Sequence, residues 1–187
     1  MSFVNSSLPR TAVCPPQFSP REFRDALGMF ATGVAIVTTR GEDGMPLGMT
    51  INSFNSVSLE PPLVLWSLAH RSSLLDVLTT SRYCAIHVLT AEQRALAERF
   101  ATRGIDRWSG VTHAQGLHGV PVMADAVAVF ECHIRSQYVE GDHTIFVGEV
   151  LRCSHRQDAS PLLYHGGMFY TEHRLGRLSP KAAGPMG

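Results

Sequence analysis

Residues 126–153 read AVAVFECHIRSQYVEGDHTIFVGEVLRC. Two runs rich in Val, Ile, Phe, Tyr and Thr, Ala126–Tyr138 and Thr144–Cys153, flank the short polar segment Val139-Glu140-Gly141-Asp142-His143. β-Branched and aromatic side chains fit a pleated surface, and Gly-Asp supplies turn chemistry, so the stretch predicts a long antiparallel hairpin.

Working outward, further strand signals come first. Val34–Thr39 and Leu47–Ile51 pair about the turn Gly41-Glu42-Asp43-Gly44. Ser53–Ser58 is extended and alternating, Glu60-Pro61-Pro62 breaks it, and Leu63–Leu68 and Tyr83–Leu89 follow as strands. Leu162–Tyr170 is expected to close the sheet. Three helix signals interrupt this pattern. Ser19-Pro20-Arg21-Glu22 is a capping box, predicting a helix that puts Phe23, Leu27 and Phe30 on one face and ends at Gly33. Ser72-Ser73 opens a short helix through Leu74, Leu75 and Leu78, and Thr90-Ala91-Glu92-Gln93 starts one that runs to Ala101. Strands outnumber helices about seven to three and do not alternate with them, so the expected class is mainly β, an antiparallel barrel with about three short helices over its ends or sides.

Composition narrows the function. The 187 residues form one domain, with a body at 19–175, a Pro-containing N-terminal arm at 1–18 and a Gly/Pro/Ala-rich C-terminal tail at 176–187. Sixteen Lys plus Arg balance sixteen Asp plus Glu, so the basic footprint of a nucleic-acid binder is missing. With 44% apolar and 17% charged residues, the chain is a folded one. Cys14, Cys84, Cys132 and Cys153 form no CxxC pair, which fits a reducing compartment. Met1–Pro16 has no signal-peptide pattern, and runs such as Val34–Val37 fall short of the ~20 apolar residues of a membrane span, so a cytoplasmic protein with no membrane contact is expected. There is no GxGxxG after a strand, no Walker lysine loop and no GxSxG elbow, and the nine histidines form no metal-ligand cluster. No metal is expected.

Two segments carry candidate chemistry. Gly48–Ser58 interleaves hydroxyls and amides with apolar residues: either an ordinary exposed strand, or a polar rim for a flat heteroaromatic ligand that needs edge hydrogen bonds and face contact. In Gly141-Asp142-His143 the imidazole is either an exposed turn residue or a donor to a phosphate or carboxamide.

The chain resembles the flavin reductases that serve two-component monooxygenases. The resemblance runs from Phe23 to Tyr170 and rests on ordered blocks: Phe30–Thr39, Gly48–Phe54 with Ser56–Leu65, Gln93–Ala101, Gly141–Val150 and Pro161–Tyr164. It implies a split-barrel, FMN-binding-like fold, a homodimer, and reduction of FMN or FAD by NADH or NADPH for a partner flavin-dependent monooxygenase. It implies that Thr50, Ile51, Asn52, Ser53 and Phe54 line the isoalloxazine and ribityl chain, continued by Ser56 and Val57. Arg71, Ser72 and Ser73 match the flavin phosphate site, and Arg103 is a further phosphate partner. Phe100 and Ala101 match the segment closing over the flavin. His143, Gly166, Gly167 and Phe169 match contacts to the nicotinamide nucleotide. Hydride passes from nicotinamide C4 to flavin N5, so the cofactors carry the chemistry and no catalytic acid, base or nucleophile is assigned to the chain. A flavin carrier, or a split-barrel flavin oxidase without nicotinamide activity, is the alternative on the same fold.

Overall fold

The long hairpin dominates the architecture. A computed structural model describes residues 17–173, so the expected arm, apart from its last two residues, and the expected tail lie outside the described residues. The helices are α1 (Pro20–Gly28), α2 (Leu75–Thr80) and α3 (Arg94–Ala101). The strands are β1 (Thr32–Gly33), β2 (Ala35–Arg40), β3 (Pro46–Ile51), β4 (Asn55–Leu59), β5 (Pro62–Ala69), β6 (Tyr83–Val88), β7 (His113–Gln115), β8 (Pro121–Met123), β9 (Ala128–Glu140), β10 (His143–His155), β11 (Leu162–His165) and β12 (Met168–Thr171). The protein is mainly β with few helices. Every named strand pairing is antiparallel.

β9 and β10 run thirteen residues each, and the connection is two residues rather than five. Gly141 takes φ +59° there, which lets the ladder continue to the pair His143↔Glu140. His143 is therefore the first residue of a strand, paired on its other side with Ala69 of β5.

Seven strands form the main sheet in the order β3-β2-β6-β9-β10-β5-β4. β3 and β4 lie at opposite edges, yet only Asn52, Ser53 and Phe54 join them. Four steps of chain reach at most ~14 Å, whereas seven flat strands are roughly 29 Å across at 4.8 Å per strand. The sheet must therefore curl until its edges approach. Among the described residues no ladder joins those edges.

Curling gives two cores. Inside lie Ala35, Val37, Trp66, Ile86, Cys132 and Phe146, with Trp66 stacked on Phe146 at 5.5 Å and Leu74 and Leu78 closing the interior at α2. Outside, Val34, Ile36, Leu89, Ala97, Phe100, Met123 and Leu162 pack α3 and β11 onto the sheet. Both faces of Val34-Ala35-Ile36-Val37 are buried, which is why the segment is apolar without alternation. Cys84 and Cys132 are buried free thiols in register with each other.

Three expectations fail, each for a local reason. The first helix stops at Gly28, where the Met29 N–H bonds back to Ala26 and Leu27 carbonyls; Phe30 lies beyond it, and Phe23, Leu27 and Phe30 are exposed. α2 begins at Leu75 with no side-chain cap, so Ser72 and Ser73 precede the helix instead of opening it. Leu162–Tyr170 is two strands, because Gly166 and Gly167 with φ +57° and +83° reverse the chain. These strands join β1 in a separate three-stranded sheet and do not close the large one. None of the described helices is long and apolar enough to cross a membrane.

Candidate functional site

Three clefts run into one another beside the curled sheet. The central one, about 890 Å³, is lined by Thr50, Ile51 and Asn52 at the end of β3, by Val34, by Ala97, Glu98, Ala101 and Thr102 of and after α3, and by Tyr164, Gly167 and Phe169 of the small sheet. Arg71 lines it and also a second cleft of about 610 Å³, which holds Pro46, Leu47, Gly48, Ser73, Arg103, Ile105, Arg107 and Trp108. At the opposite end Arg24, Asn52, Tyr164 and Gly167 are shared with a third cleft of about 500 Å³, walled by Leu27, Gly28, Phe30, Thr32 and Gly166. The three clefts thus adjoin in a row, referred to below as the groove, with a cationic end, a central part and a far end lined by α1.

The middle is held open by contacts between β3 and α3. Thr50 Oγ1 donates to the Ala97 carbonyl at 2.7 Å. Phe100 is fully buried, lies over Gly48 and meets Trp108 edge-on at 5.2 Å. A Cβ at Gly48 would stand 2.9 Å from Phe100 Cε1, so only glycine lets the helix approach this strand so closely. The loop after α3 is fixed by Arg107, whose Nε donates to the Thr102 carbonyl at 2.9 Å and whose Nη1 donates to the Gly48 carbonyl at 3.0 Å.

The cationic end sets three arginines, Arg71, Arg103 and Arg107, against one carboxylate, Asp106, whose Oδ1 accepts from the Trp108 N–H at 3.0 Å. Partial burial lowers the Arg107 pKa, and the neighbouring Arg103 charge lowers it further. An anion between these groups removes the like-charge penalty that they otherwise carry. Arg71 lies across the same cleft, and Ser73 adds a hydroxyl.

The Gly141-Asp142 turn sits beside this end. The His70 N–H donates to the Asp142 carbonyl at 2.9 Å. His143 Nδ1 lies 2.6 Å from Asp142 Oδ1. The hydrogen bond from His143 and its charge depress the Asp142 carboxyl pKa, and the Arg71 charge contributes in the same direction. An ionised carboxylate only accepts, so Nδ1 of His143 donates to Asp142 Oδ1.

Ten of the residues singled out from sequence are brought together. Thr50, Ile51, Asn52, Arg71, Ala101, Gly167 and Phe169 line the central cleft, Ser73 and Arg103 the cationic end, and Gly166 the far end. Others are placed elsewhere. Ser53 Oγ bonds both the Ser67 carbonyl and the Ser67 N–H at 3.0 Å, bracing β5. Phe54 turns into the inner core against Phe130 at 5.4 Å. Ser72 Oγ donates to Met49 Sδ at 3.1 Å and accepts from the Leu74 N–H at 3.2 Å. Phe100 is a core wedge, and Ser56 and Val57 are exposed on the edge strand β4. His143 lines none of the three clefts. Sequence reading missed Arg107 and Arg24; the Arg103…Arg107-Trp108 spacing, two cations beside an aromatic, was the available signal for the first.

Comparisons with known proteins agree with this geometry. A family described as "Flavin reductase like domain" matches residues 27–173. The "FMN reductase (NADH) SmoA" of Agrobacterium fabrum is 49% identical over 149 residues, covering 80% of this chain and 84% of that protein. The reductase subunit HsaB of a flavin-dependent monooxygenase from Rhodococcus jostii is 35% identical, covering 84% and 80%. The Streptomyces globisporus NADH:FAD oxidoreductase SgcE6, solved with NAD and FAD fragments, superposes with a TM-score of 0.76 at 39% identity, over 87% of this chain and 94% of that one.

Proposed function

This chain belongs to the flavin reductase-like domain family, and from that premise we propose that it reduces free FMN or FAD with NADH or NADPH and passes the reduced flavin to a flavin-dependent monooxygenase. The observation that carries the reading is the row of adjoining clefts: a cationic one, a central one of about 890 Å³ that shares Arg71 with it, and a third that shares Arg24, Asn52, Tyr164 and Gly167 with the central one.

The residues present fit a flavin. A flavin phosphate belongs at Arg71, Ser73 and Arg103, where a charge-assisted hydrogen bond is strongest. Thr50, Ile51 and Asn52 offer polar edges, and Val34 and Phe169 offer apolar faces, to the ring system. Ser53, Phe54 and Phe100 act behind this surface by fixing β3 and α3. When bound, the flavin supplies the hydride acceptor at N5 and the dihydronicotinamide the hydride at C4. The chain holds the two rings face to face and excludes water, and no acid or base is assigned to it. A contact of His143 with the nicotinamide nucleotide is proposed on the resemblance alone, since within one chain this residue lies outside the three clefts, at the Gly141-Asp142 turn.

The curled sheet supports a split barrel of the FMN-binding type, formed by a body at 19–175. A homodimer is proposed because Phe18, Phe23, Leu27, Met29 and Phe30 leave an apolar face uncovered beside the groove. A cytoplasmic location accords with the cysteine pattern.

Purified protein mixed with each nicotinamide–flavin pair, followed at the nicotinamide absorbance band, tests the activity. Oxidation of NADH or NADPH that depends on added flavin supports it. Flavin binding with no oxidation in any pair leaves only the carrier reading.

A further inference from the structure

Arg24 is the one cation and Asp25 the one carboxylate that line the far cleft among the described residues; Arg24 also lines the central cleft, where Glu98 is the carboxylate. It sits on α1, across from Asn52, Tyr164 and the Gly166-Gly167 turn. That turn is tied directly to the helix, since the Gly166 N–H donates to the Gly28 carbonyl at 2.8 Å. The Asp25 carboxylate lies 3.9 Å from Arg21 on the same helix in an exposed pair, and Arg107 donates to two backbone carbonyls. Among the described residues Arg24 has no such commitment.

The topology of the groove assigns it a use. Two nucleotides with stacked rings must each lead an anionic chain out of the central cleft. One exit is the cationic end at Arg71 and Arg103, which the flavin phosphate takes in the function proposed above. The remaining exit passes Arg24. A pyrophosphate leaving by that path meets a guanidinium fork on one wall and a glycine turn on the other. Glycines with φ +57° and +83° let the backbone come close to such a ligand.

We propose that Arg24 binds the pyrophosphate of the nicotinamide dinucleotide and so selects phosphorylated hydride donors. The inference rests on the reductase reading, and its test separates the two. Arg24→Ala should raise KM for NADH or NADPH about tenfold, with kcat at saturation nearly unchanged; the size is that of a charged hydrogen bond reduced by solvent screening. Arg24→Lys, which keeps the charge but loses the fork, should recover part of the loss. With N-benzyl-dihydronicotinamide, a donor with no phosphate, wild type and Arg24→Ala should have the same KM. Flavin dissociation constants from fluorescence titration should match in all three proteins.

Equal losses with the phosphate-free donor would make Arg24 a structural residue and overturn the inference. A weakened flavin affinity with unaltered nicotinamide kinetics would move it to the flavin. If wild type oxidises no dihydronicotinamide at all, the reductase reading fails, and this inference with it.

Discussion

Lowering the pH should unload stability from the fold through one side chain, His87. Its imidazole is wholly buried between β2, β6 and β8. The Met123 N–H donates to Nε2 at 3.1 Å, which leaves the proton on Nδ1 to be donated to the Ile36 carbonyl at 3.1 Å. Burial pushes the His87 pKa down to about 4, although the Ile36 carbonyl and the Glu131 charge act in the opposite direction. An unfolded histidine titrates at about 6.5. The folded pKa is depressed, so the stabilisation is complete above pH 6.5 and is lost as the pH falls toward 4. At 1.36 kcal/mol per unit the loss is about 2 kcal/mol between pH 6.5 and 5, and about 3 kcal/mol by pH 4. His87→Gln keeps a donor and an acceptor on one side chain but does not titrate. Urea unfolding of both proteins at fixed concentration between pH 7 and pH 5 isolates the histidine, because the one carboxylate coupled to it, Glu131, is held below its ordinary pKa, against the opposing effect of burial, chiefly by Arg152 and the Leu117 N–H, which both proteins keep. The stability gap between wild type and variant should narrow by about 2 kcal/mol over that range. A gap that stays constant, or a native His87 that titrates above pH 6 by NMR, would refute the reasoning.

Three further outcomes are expected from the proposed function. Arg71→Ala should weaken FMN binding by about 1–2 kcal/mol, a charged hydrogen bond discounted for exposure, and leave riboflavin binding unchanged; equal losses for both ligands in a fluorescence titration would remove the phosphate assignment. His143→Ala should raise KM for the dihydronicotinamide about three- to tenfold, the worth of a neutral hydrogen bond, with flavin affinity intact; steady-state kinetics with each ligand varied in turn decide it. Gly48→Ala should destabilise the protein by about 1–3 kcal/mol through overpacking against Phe100 and should weaken flavin binding as well, because the displaced ring carries α3 with it; thermal unfolding and a flavin titration check the two effects together.

What could be read in the sequence was what local chemistry decides. The β9–β10 hairpin follows from β-branched runs about Gly141-Asp142, and the α1 start from the Ser19–Glu22 capping box, whose reciprocal bonds are present. The burial of both faces of β2 was implicit in an unbroken Val34–Val37 run. Facing directions were harder. Alternation along Thr50–Val57 says that neighbouring side chains point opposite ways but not which way is inward, and an irregular link at 52–54 resets the phase. Ser53 and Phe54 therefore look like cleft residues in sequence and are bracing residues in space. The contacts of Phe100 and Arg107 with Gly48 depend on the approach of α3 to β3 across some fifty residues; the Arg103…Arg107-Trp108 spacing marks the cations but not the strand they meet. The Gly166-Gly167 reversal is turn chemistry visible in the sequence, and it divides the single strand expected over Leu162–Tyr170.

The exposed face of α1 bears on the activity itself. Its apolar side chains are about half or more exposed, whereas the helix is amphipathic and capped as though a partner covered that face. Isolated helices of nine residues are not stable in water, and tertiary packing supplies the difference. Within one chain the tie to the small sheet is a backbone hydrogen bond at Gly28. If the proposed homodimer buries this face, dimerisation fixes α1, and with it the wall of the far cleft that carries Arg24, Leu27 and Phe30. Flavin binding at Arg71 is set by β5, α2 and the loop after α3, and so depends little on α1. Dilution into the dissociated range should then raise KM for the nicotinamide donor before it affects flavin affinity. A simultaneous loss of both would mean that the second copy supports the whole groove rather than its far end.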